Sequence, residues 1–341
     1  MTSTRATLLQ VAERAGVSLA STSRALHGTG ASPAMIERVR AAAEELGYSP
    51  DAIGRSLRMK KTFQIAFAVA DIGNPVYVEM MRALHEVLAP HGYRVVVMTT
   101  GDTSTSTAEL VRSLNSGFVD GMVISPLRTD DRLIEEITQA AVPVVVIGRA
   151  LDAHGISSVS TDSAGGIGQA VRHLQQLNRR RLGFLNGPLD TTPGQARQRG
   201  FDTAAGTGHV TEIAQDFTVA AGLIAARRLF ASAPERLDAV VAANDLLAIG
   251  AIHAARELGL SVPEDVAVTG MDDTELGRVF HPTLTSVSLG TTERGRAAAQ
   301  LMLRLAEDGE HEAQQVTVGP ELIVRGSTVP AAGGLVEGGK R

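Results

Sequence analysis

The sequence predicts an α/β chain in which a small all-helical head precedes a large body of two doubly wound halves, each built on a parallel sheet. Three observations point there. Short helical patterns punctuated by glycine occupy roughly the first fifty residues. From Phe63 onward, apolar runs alternate with amphipathic stretches, the pattern of strands exchanged with helices. Charge is divided along the same line: residues 1–61 hold nine Lys/Arg against five Asp/Glu, whereas the remainder holds 23 against 32. A basic head on an acidic body is expected where only the head meets a polyanion.

At 341 residues the chain can bury two or three separate cores. Its 44% hydrophobic and 20% charged residues are ordinary for a soluble globular protein. With no cysteine, a disulfide framework and a thiolate metal site are both excluded, which suits a reducing cytoplasm. The first 30 residues carry Arg5, Glu13, Arg14 and Arg24 and no continuous apolar core, so they do not read as a signal peptide. No run of about 18 uncharged apolar residues is present, so no membrane span is expected. A cytoplasmic protein without cofactor or metal is the expectation.

The head begins with Thr7-Leu8-Leu9-Gln10, a T-x-x-Q capping box. Leu8, Val11, Ala12 and Ala15 follow at helical spacing, and Gly16 stops the helix because glycine readily takes the left-handed conformation. Val17 can pack inward, and Ser18 is a good N-cap for a second helix from Leu19 to Leu26. After a loop with Gly28 and Gly30, Ser32-Pro33 starts a third helix. Its stripe is Ile36, Val39, Ala43 and Leu46, and Gly47 ends it. Two short helices joined by a glycine turn and buttressed by a third form a helix-turn-helix layout. Ser21, Ser23 and Arg24 on the second helix, with His27 at its end, suit DNA: arginine grips guanine, and serines position phosphates. Leu19 and Ala20 could meet thymine methyls. The same pattern also describes a small helical bundle with a solvated polar face.

Residues 8–28, LLQVAERAGVSLASTSRALHG, resemble the DNA-binding head of the lactose-repressor (LacI/GalR) family, whose pattern reads roughly DVAxxAGVSxxTVSRVLNG. Val11, Ala12, Ala15, Gly16, Val17, Ser18, Ser23, Arg24, Leu26 and Gly28 match. Ser21, Thr22, Ala25 and His27 depart from it, and the Thr22 hydroxyl, where the family packs a methyl, is expected to weaken the head slightly. Residues 45–58, ELGYSPDAIGRSLR, are similar to the family's more specific ELGYxPNxxARSLR. In the family this segment is a hinge that becomes helical on operator DNA. The resemblance implies DNA contacts by Thr7, Ser18, Leu19, Ala20, Ser21, Ser23, Arg24 and His27 in the head, and by Ser49, Arg55 and Leu57 in the hinge. Leu57 would wedge into a central base step from the minor groove. Ser49-Pro50 can start such a helix, but about eight residues are too few to stay helical alone. Gly54 lowers helicity by roughly 1 kcal/mol, and Asp51 adds a negative charge near the phosphates.

In the body, the apolar runs are Phe63–Ala70, Arg94–Met98, Gly121–Ile124, Pro143–Ile147, Arg181–Leu185, Ala239–Ala242 and Val266–Thr269. Helical patterns lie between them near 77–89, 106–115, 130–140, 164–177, 219–231 and 245–258. Ligands of open parallel sheets bind beyond the carboxyl ends of the strands. The polar and aromatic residues after the runs are therefore candidates: Asp71, Asn74 and Tyr77, then Ser125, then Arg149. Asn186 with Arg197, Asn244 with Asp245, and Asp272 with Asp273 follow. Carboxylates, amides and arginines suit a hydroxyl-rich ligand. Each could equally cap the following helix, as Asn244 and Asp273 would.

The resemblance continues through VADIGNPVYVEMM, FVDGMVISP, PVVVIGR, STDSAGG, the long block AANDLLAIGAIHAARELGLSVPEDVAVTGMDD, HPTLTSV and ELIVRGST, and so runs from about residue 7 to 328. It implies a periplasmic-binding-protein-like body with effector-pocket positions at Tyr77, Ser125, Arg149, Asp162, Arg197, Phe217, Asn244 and Asp272. Phe217 would supply an apolar or stacking wall. Val76 removes one of two common aromatic walls, and Gly148 replaces an aspartate that often precedes Arg149. Thr191 stands where a purine-type regulator carries arginine, which favours a sugar or related polyol.

The division implied is a helix-turn-helix domain over 1–49, a hinge over 50–61, an effector-binding domain over 62–330 and a flexible tail over 331–341. Within the body, one half takes about 62–160 plus 290–320, and the other about 161–289 plus 321–330. The tail has one leucine and no heptads, so no tetramerising coiled coil is expected. The function this implies is a homodimeric transcription repressor on double-stranded inverted-repeat DNA, controlled by a small-molecule effector. A periplasmic-type sugar-binding protein would share the body but not the basic head. An enzyme would need a motif that is missing: there is no G-x-G-x-x-G loop, P-loop, H-E-x-x-H or G-x-S-x-G elbow. His281, in FHPTL, reads as a loop residue. Asp51, Gly54 and Thr22 raise one further alternative, a solute-binding sensor with weak or lost DNA binding.

Overall fold

The computed structural model describes residues 6–27, 30–48, 61–101, 103–151, 154–233, 235–308 and 312–329. The chain divides into two units, Met1–Thr62 and Phe63–Arg341.

In the first unit, α1 (Leu8–Ala15) starts at the capping box: the Gln10 amide donates to Thr7 Oγ1 (3.4 Å), and the Thr7 amide donates to Gln10 Oε1 (2.8 Å). Gly16 closes it in the left-handed region at φ 65°. The second helix, α2 (Leu19–His27), begins where Ser18 Oγ accepts the Ser21 amide at 3.2 Å. The third, α3 (Pro33–Glu45), is capped by Ser32 and carries Pro33 in its first turn. Val11, Ala15, Ala25, Val39, Ala42 and Ala43 form the buried core of the head.

One expectation for the head is corrected. Leu46 is not on the buried stripe: it is 36% exposed. Gly47, at φ 60°, turns the chain so that the Tyr48 amide reaches the Ala43 carbonyl (2.8 Å), and Tyr48 packs on the core instead. Thr22 is fully buried, but its hydroxyl donates to the Ser18 carbonyl at 3.1 Å. The hydroxyl that stands in place of the family's methyl is thus buried but hydrogen-bonded within its own helix. Ser49, Asp51, Gly54, Arg55 and Leu57 lie outside the described residues, as does the segment from residue 330 on.

The second unit holds two six-stranded sheets. Its elements run β1 (Gln64–Val69), α4 (Pro75–Leu88), β2 (Arg94–Thr99), α5 (Ser104–Ser113), β3 (Gly121–Ser125), α6 (Asp131–Thr138), β4 (Val144–Ile147) and β5 (Ser158–Thr161). Next come α7 (Ser163–Gln176), β6 (Leu182–Asn186), α8 (Thr192–Ala205), β7 (Val210–Ile213), α9 (Val219–Ser232), β8 (Ala239–Ala242) and α10 (Asp245–Glu257). The remainder is β9 (Ala267–Met271), α11 (Glu275–Val279), β10 (Thr285–Ser288), α12 (Thr291–Leu303), β11 (Gln315–Val318) and β12 (Glu321–Ile323). The sheet orders are β11-β5-β4-β3-β1-β2 and β12-β10-β9-β8-β6-β7. Every pair is parallel except β10 with β12. Strand β1 shows why the runs are continuously apolar: Ile65, Phe67 and Val69 pack on one face of the sheet and Ala66 and Ala68 on the other.

The strands the apolar runs miss, β5, β7, β10, β11 and β12, are short and rich in hydroxyls or charge. In β5 and β10, both interior to their sheets, side-chain hydrogen bonds accompany the apolar packing of Val159 and Val287: Ser160 pairs with Thr317, and Thr285 with Thr328 (2.7 Å). Helices α8, α11 and α12 were likewise absent from the expected pattern.

Three strand-end candidates prove to fasten loops. Asn186 is buried and donates to the Gly194 carbonyl (2.9 Å). Asp273 pairs with Arg325 (2.6 Å) and Arg278 (3.0 Å); it does not cap α11, whose N-cap is Thr274. Asp245 accepts from the Thr274 amide (2.7 Å), the Thr274 hydroxyl (2.8 Å) and the Ser286 hydroxyl (2.6 Å). Burial, with the nearby Asp272 charge, pushes the Asp245 carboxyl up to about 7, against the opposing hydrogen bonds. His281 lies in the loop between α11 and β10.

The raised Asp245 predicts a pH dependence. The folded state keeps this proton after the unfolded chain has released it near pH 3.8, so Asp245 destabilises progressively as pH rises to about 7. Urea midpoints should show the stability of wild type relative to Asp245→Asn falling between pH 5 and pH 8; a constant difference refutes the assignment. At the contact of α9 with α10, a methyl on Gly250 would stand 2.5 Å from the Leu223 amide and 2.7 Å from the Val219 carbonyl. Gly250→Ala should cost about 1–3 kcal/mol by overpacking, seen as a lower urea midpoint by circular dichroism.

Candidate DNA-binding face and ligand cavity

On the head, α2 turns Thr22 and Ala25 into the core and leaves Leu19, Ala20 and Arg24 exposed, with Ser21 and Ser23 half-buried. Ser18 is exposed at the helix start and donates to Ser21 Oγ (2.9 Å), which accepts from Arg24 Nη2 (3.3 Å). This places a guanidinium and a line of hydroxyls on one solvent-facing helix surface. Thr7 is exposed at the start of α1, where its side chain is used as a cap. His27 is the last residue of α2. The predicted contacts Ser49, Arg55 and Leu57 lie outside the described residues.

In the body, one cavity of about 1060 Å3 brings together all eight predicted pocket residues: Tyr77, Ser125, Arg149, Asp162, Arg197, Phe217, Asn244 and Asp272. Asp71 and Asn74 line it as well. Its wall is built from the carboxyl ends of strands in both sheets: Ser125 ends β3, Arg149 follows β4, Asp162 follows β5, Asn244 follows β8 and Asp272 follows β9. The alternative of capping also holds for several of them. Asn74, Asp162 and Asn244 are the N-caps of α4, α7 and α10 and line the cavity from those positions. Asn244 completes its bonding by donating to the Phe217 carbonyl at 3.1 Å.

Phe217 forms the apolar wall, with the Arg197 guanidinium 5.8 Å from its ring centre. Gly187 makes room for it, since a Cβ there would come within 2.2 Å of the ring. Val76, buried at 7% exposure, supplies an aliphatic surface beside Tyr77. Gly148 has φ 115°, a conformation that an aspartate at this position would adopt only with strain. Thr191 caps α8: its hydroxyl donates to the Pro188 carbonyl (2.6 Å) and accepts the Gly194 amide (3.1 Å).

At the back of the cavity lies a buried charge cluster. Asp272 stands 3.6 Å from Arg197 Nη2, both nearly inaccessible. Burial raises the Asp272 carboxyl above its ordinary range, opposed by the Arg197 and Arg294 charges. The Tyr77 hydroxyl is also raised by burial, against a Ser125 hydrogen bond. The backbone is strained at the same place: Asp272 has φ 106° and Asp273 φ 52°.

Two features were missed by sequence reasoning. Arg294, on α12, is 6% exposed and lines the cavity beside Asp272. Its signal was available: Arg294, Ala298 and Leu301 fall at i, i+4, i+7, a charge on an otherwise apolar stripe. The other is a bridge over the rim. Arg128, after β3, grips Asp190, after β6, with two hydrogen bonds of 2.7 and 3.1 Å, and the Thr192 amide donates to the Leu127 carbonyl (2.7 Å). No sequence spacing links those segments. Among the described residues, no helix is long and apolar enough to cross a membrane.

Comparison with known proteins matches both the head and the body to known families. Residues 7–51 match the family described as bacterial regulatory proteins, lacI family, and residues 171–328 match the periplasmic binding protein-like domain. The HTH-type transcriptional regulator CelR of Thermobifida fusca is 33% identical over 336 residues, covering 95% of this chain and 98% of that protein. Among solved structures, a complex of the transcriptional regulator CelR with cellobiose superposes with a TM-score of 0.69 at 32% identity, over 95% of this chain and all of that one. The lac repressor dimer bound to operator and the anti-inducer ONPF superposes with a TM-score of 0.84 at 25% identity, over 96% of this chain and all of that one. This chain belongs to the LacI family of bacterial regulatory proteins and is a DNA-binding transcriptional regulator.

Proposed function

We propose that this protein is a homodimeric repressor of an inverted-repeat operator, whose DNA affinity is set by a sugar or related polyol held in the body cavity. The observation that carries the proposal is the cavity itself, bounded by strand ends of both sheets and lined by the hydrogen-bonding groups a polyol needs. The cellobiose bound by a CelR structure of similar sequence supports the ligand class. The operator-bound dimer of the lac repressor supports the assembly.

On the DNA side, Arg24 reads a base edge in the major groove. Leu19 and Ala20 present apolar contacts, and Ser18, Ser21 and Ser23 hold phosphates, with Thr7 and His27 at the margins. The hinge residues Ser49, Arg55 and Leu57 complete the contact by folding on DNA, with Leu57 as the minor-groove wedge. On the ligand side, Asp272 and Arg197 hold hydroxyls from one direction and Asp162, Arg149 and Ser125 from others, while Phe217 and Tyr77 cover apolar ring faces. Because the wall draws on both sheets, ligand affinity depends on how the two halves close. The ligand therefore shifts the DNA-binding equilibrium by its differential affinity for the two arrangements.

The test is binding-site selection: full-length protein is incubated with random duplexes and the recovered fraction is sequenced. An enriched inverted repeat is expected. No enrichment at low salt, with or without sugars, would favour a sensor without DNA-binding function. On the selected operator, Arg24→Ala should weaken specific binding by about 1–3 kcal/mol, or at least tenfold, while sugar binding stays intact. Operator affinity equal to wild type would remove Arg24 from the reading surface. Asp272→Asn keeps a side chain that tolerates positive φ and removes the charge. It should shift the sugar dependence of operator affinity at least about tenfold, and an unmoved titration would place the effector elsewhere.

A further inference from the structure

The cavity wall carries more buried positive charge than it can pair. Among the residues that line it, Arg197, Arg294 and Asp272 are the charged groups in the buried class, at 7, 6 and 7% exposure. One carboxylate thus faces two guanidiniums. Its approach to Arg197 is 3.6 Å, too long for a good hydrogen bond. Arg294 Nη2 donates to Thr291 Oγ1 at 3.4 Å, a marginal contact within its own helix turn. The Nε groups of both Arg197 and Arg294 are buried without a hydrogen-bond partner. Burial lowers the Arg294 pKa, with the Asp272, Tyr77 and, least, Glu293 groups opposing and the Arg197 charge adding to the fall.

The carboxylates nearer the mouth do not offset this excess. Asp71, Asp162 and Asp216 each accept a backbone amide, from Gly73, Gly165 and Thr218 at 2.8, 2.8 and 2.9 Å. They belong to turns and helix starts, not to the two arginines. Packing does not require an arginine at 294 either. It stands on the stripe that continues as Ala298 and Leu301, where an apolar side chain of similar volume would avoid the desolvation cost. A buried, under-bonded cation aimed into a cavity is unfavourable until a ligand completes it.

We infer that the ligand of this cavity is an acidic sugar, its oxyanion, a carboxylate or a phosphate ester, seated between Arg294 and Arg197. The inference rests on reading the cavity as the effector site. Two planar guanidinium forks match an oxyanion through paired, charge-assisted hydrogen bonds. Neutral hydroxyls at this place would leave the surplus charge uncompensated.

The experiment is calorimetric titration of the full-length protein with matched sets. Glucose and galactose are compared with their uronates, aldonates and 6-phosphates, and cellobiose with cellobionate. Wild type, Arg294→Met, Arg294→Lys and Phe217→Ala are each titrated. At least one acidic derivative is expected to bind ten- to a hundredfold more tightly than its neutral parent. Arg294→Met should remove that advantage and Arg294→Lys restore part of it; the preferred acid identifies carboxylate or phosphate. Arg294→Met should unfold at a temperature no lower than wild type, so lost binding cannot be lost folding. Neutral parents binding as tightly as their acids, or acid binding that survives Arg294→Met, overturns the oxyanion. If Phe217→Ala still abolishes that binding, the effector-site reading stands without it. If no compound of either set binds, both readings fall.

Discussion

Asp272 holds its buried carboxylate in a backbone conformation that side chains rarely adopt, at φ 106°, and the chemistry of the cavity is arranged around it. Arg197 and Arg294 lower the cost of its charge, and that charge in turn helps drive the proton onto Asp245 behind it. Strain of this kind persists only where the surroundings over-determine it. Here Asp273, the next residue, is held by Arg278 and Arg325, and Thr274 is held by both an amide and a hydroxyl bond to Asp245. The loop after β9 is thus fixed from its far side, which leaves Asp272 directed at the cavity.

Capping a helix and lining the cavity are not competing roles in this architecture. A parallel sheet with crossover helices sets the carboxyl end of each strand beside the amino end of the next helix. A short polar side chain there reaches both the orphan amides of the helix and the space beyond the sheet. Asn74, Asp162, Thr191 and Asn244 all show this double placement. Their geometry is set by the caps, so the cavity wall is organised before a ligand arrives.

Polar contacts link the segments that follow strands of the two sheets at the cavity rim. The Arg128–Asp190 pair is partly exposed, so it adds little stability. With the bond between the Thr192 amide and the Leu127 carbonyl, it connects the segment after β3 to the segment after β6. Contacts of this type can break and re-form without disturbing either core, since each sheet packs its own apolar faces.

Local chemistry was legible from the residues alone. The Thr7 and Ser32 caps, the Gly16 stop and the apolar strands β1, β3, β4 and β8 follow from propensity and periodicity over a few residues. The position of the cavity followed from the rule for strand ends, and the eight pocket residues from that rule together with family resemblance. Tertiary structure decided what depends on distant partners. Interior strands such as β5 and β10 could not be read, because hydroxyls such as those of Ser160, Thr285 and Ser286 are satisfied by residues about 40 to 160 positions away. Whether a strand-end residue lines the cavity or fastens a loop was also set there, which separates Asp272 from Asp273 and Asn244 from Asp245. Arg294 belongs to the same class. A charge on an apolar stripe is visible in the sequence, but only the fold brings that helix to Asp272. Periodicity reports the surroundings of one element, whereas burial and charge pairing are properties of elements brought together.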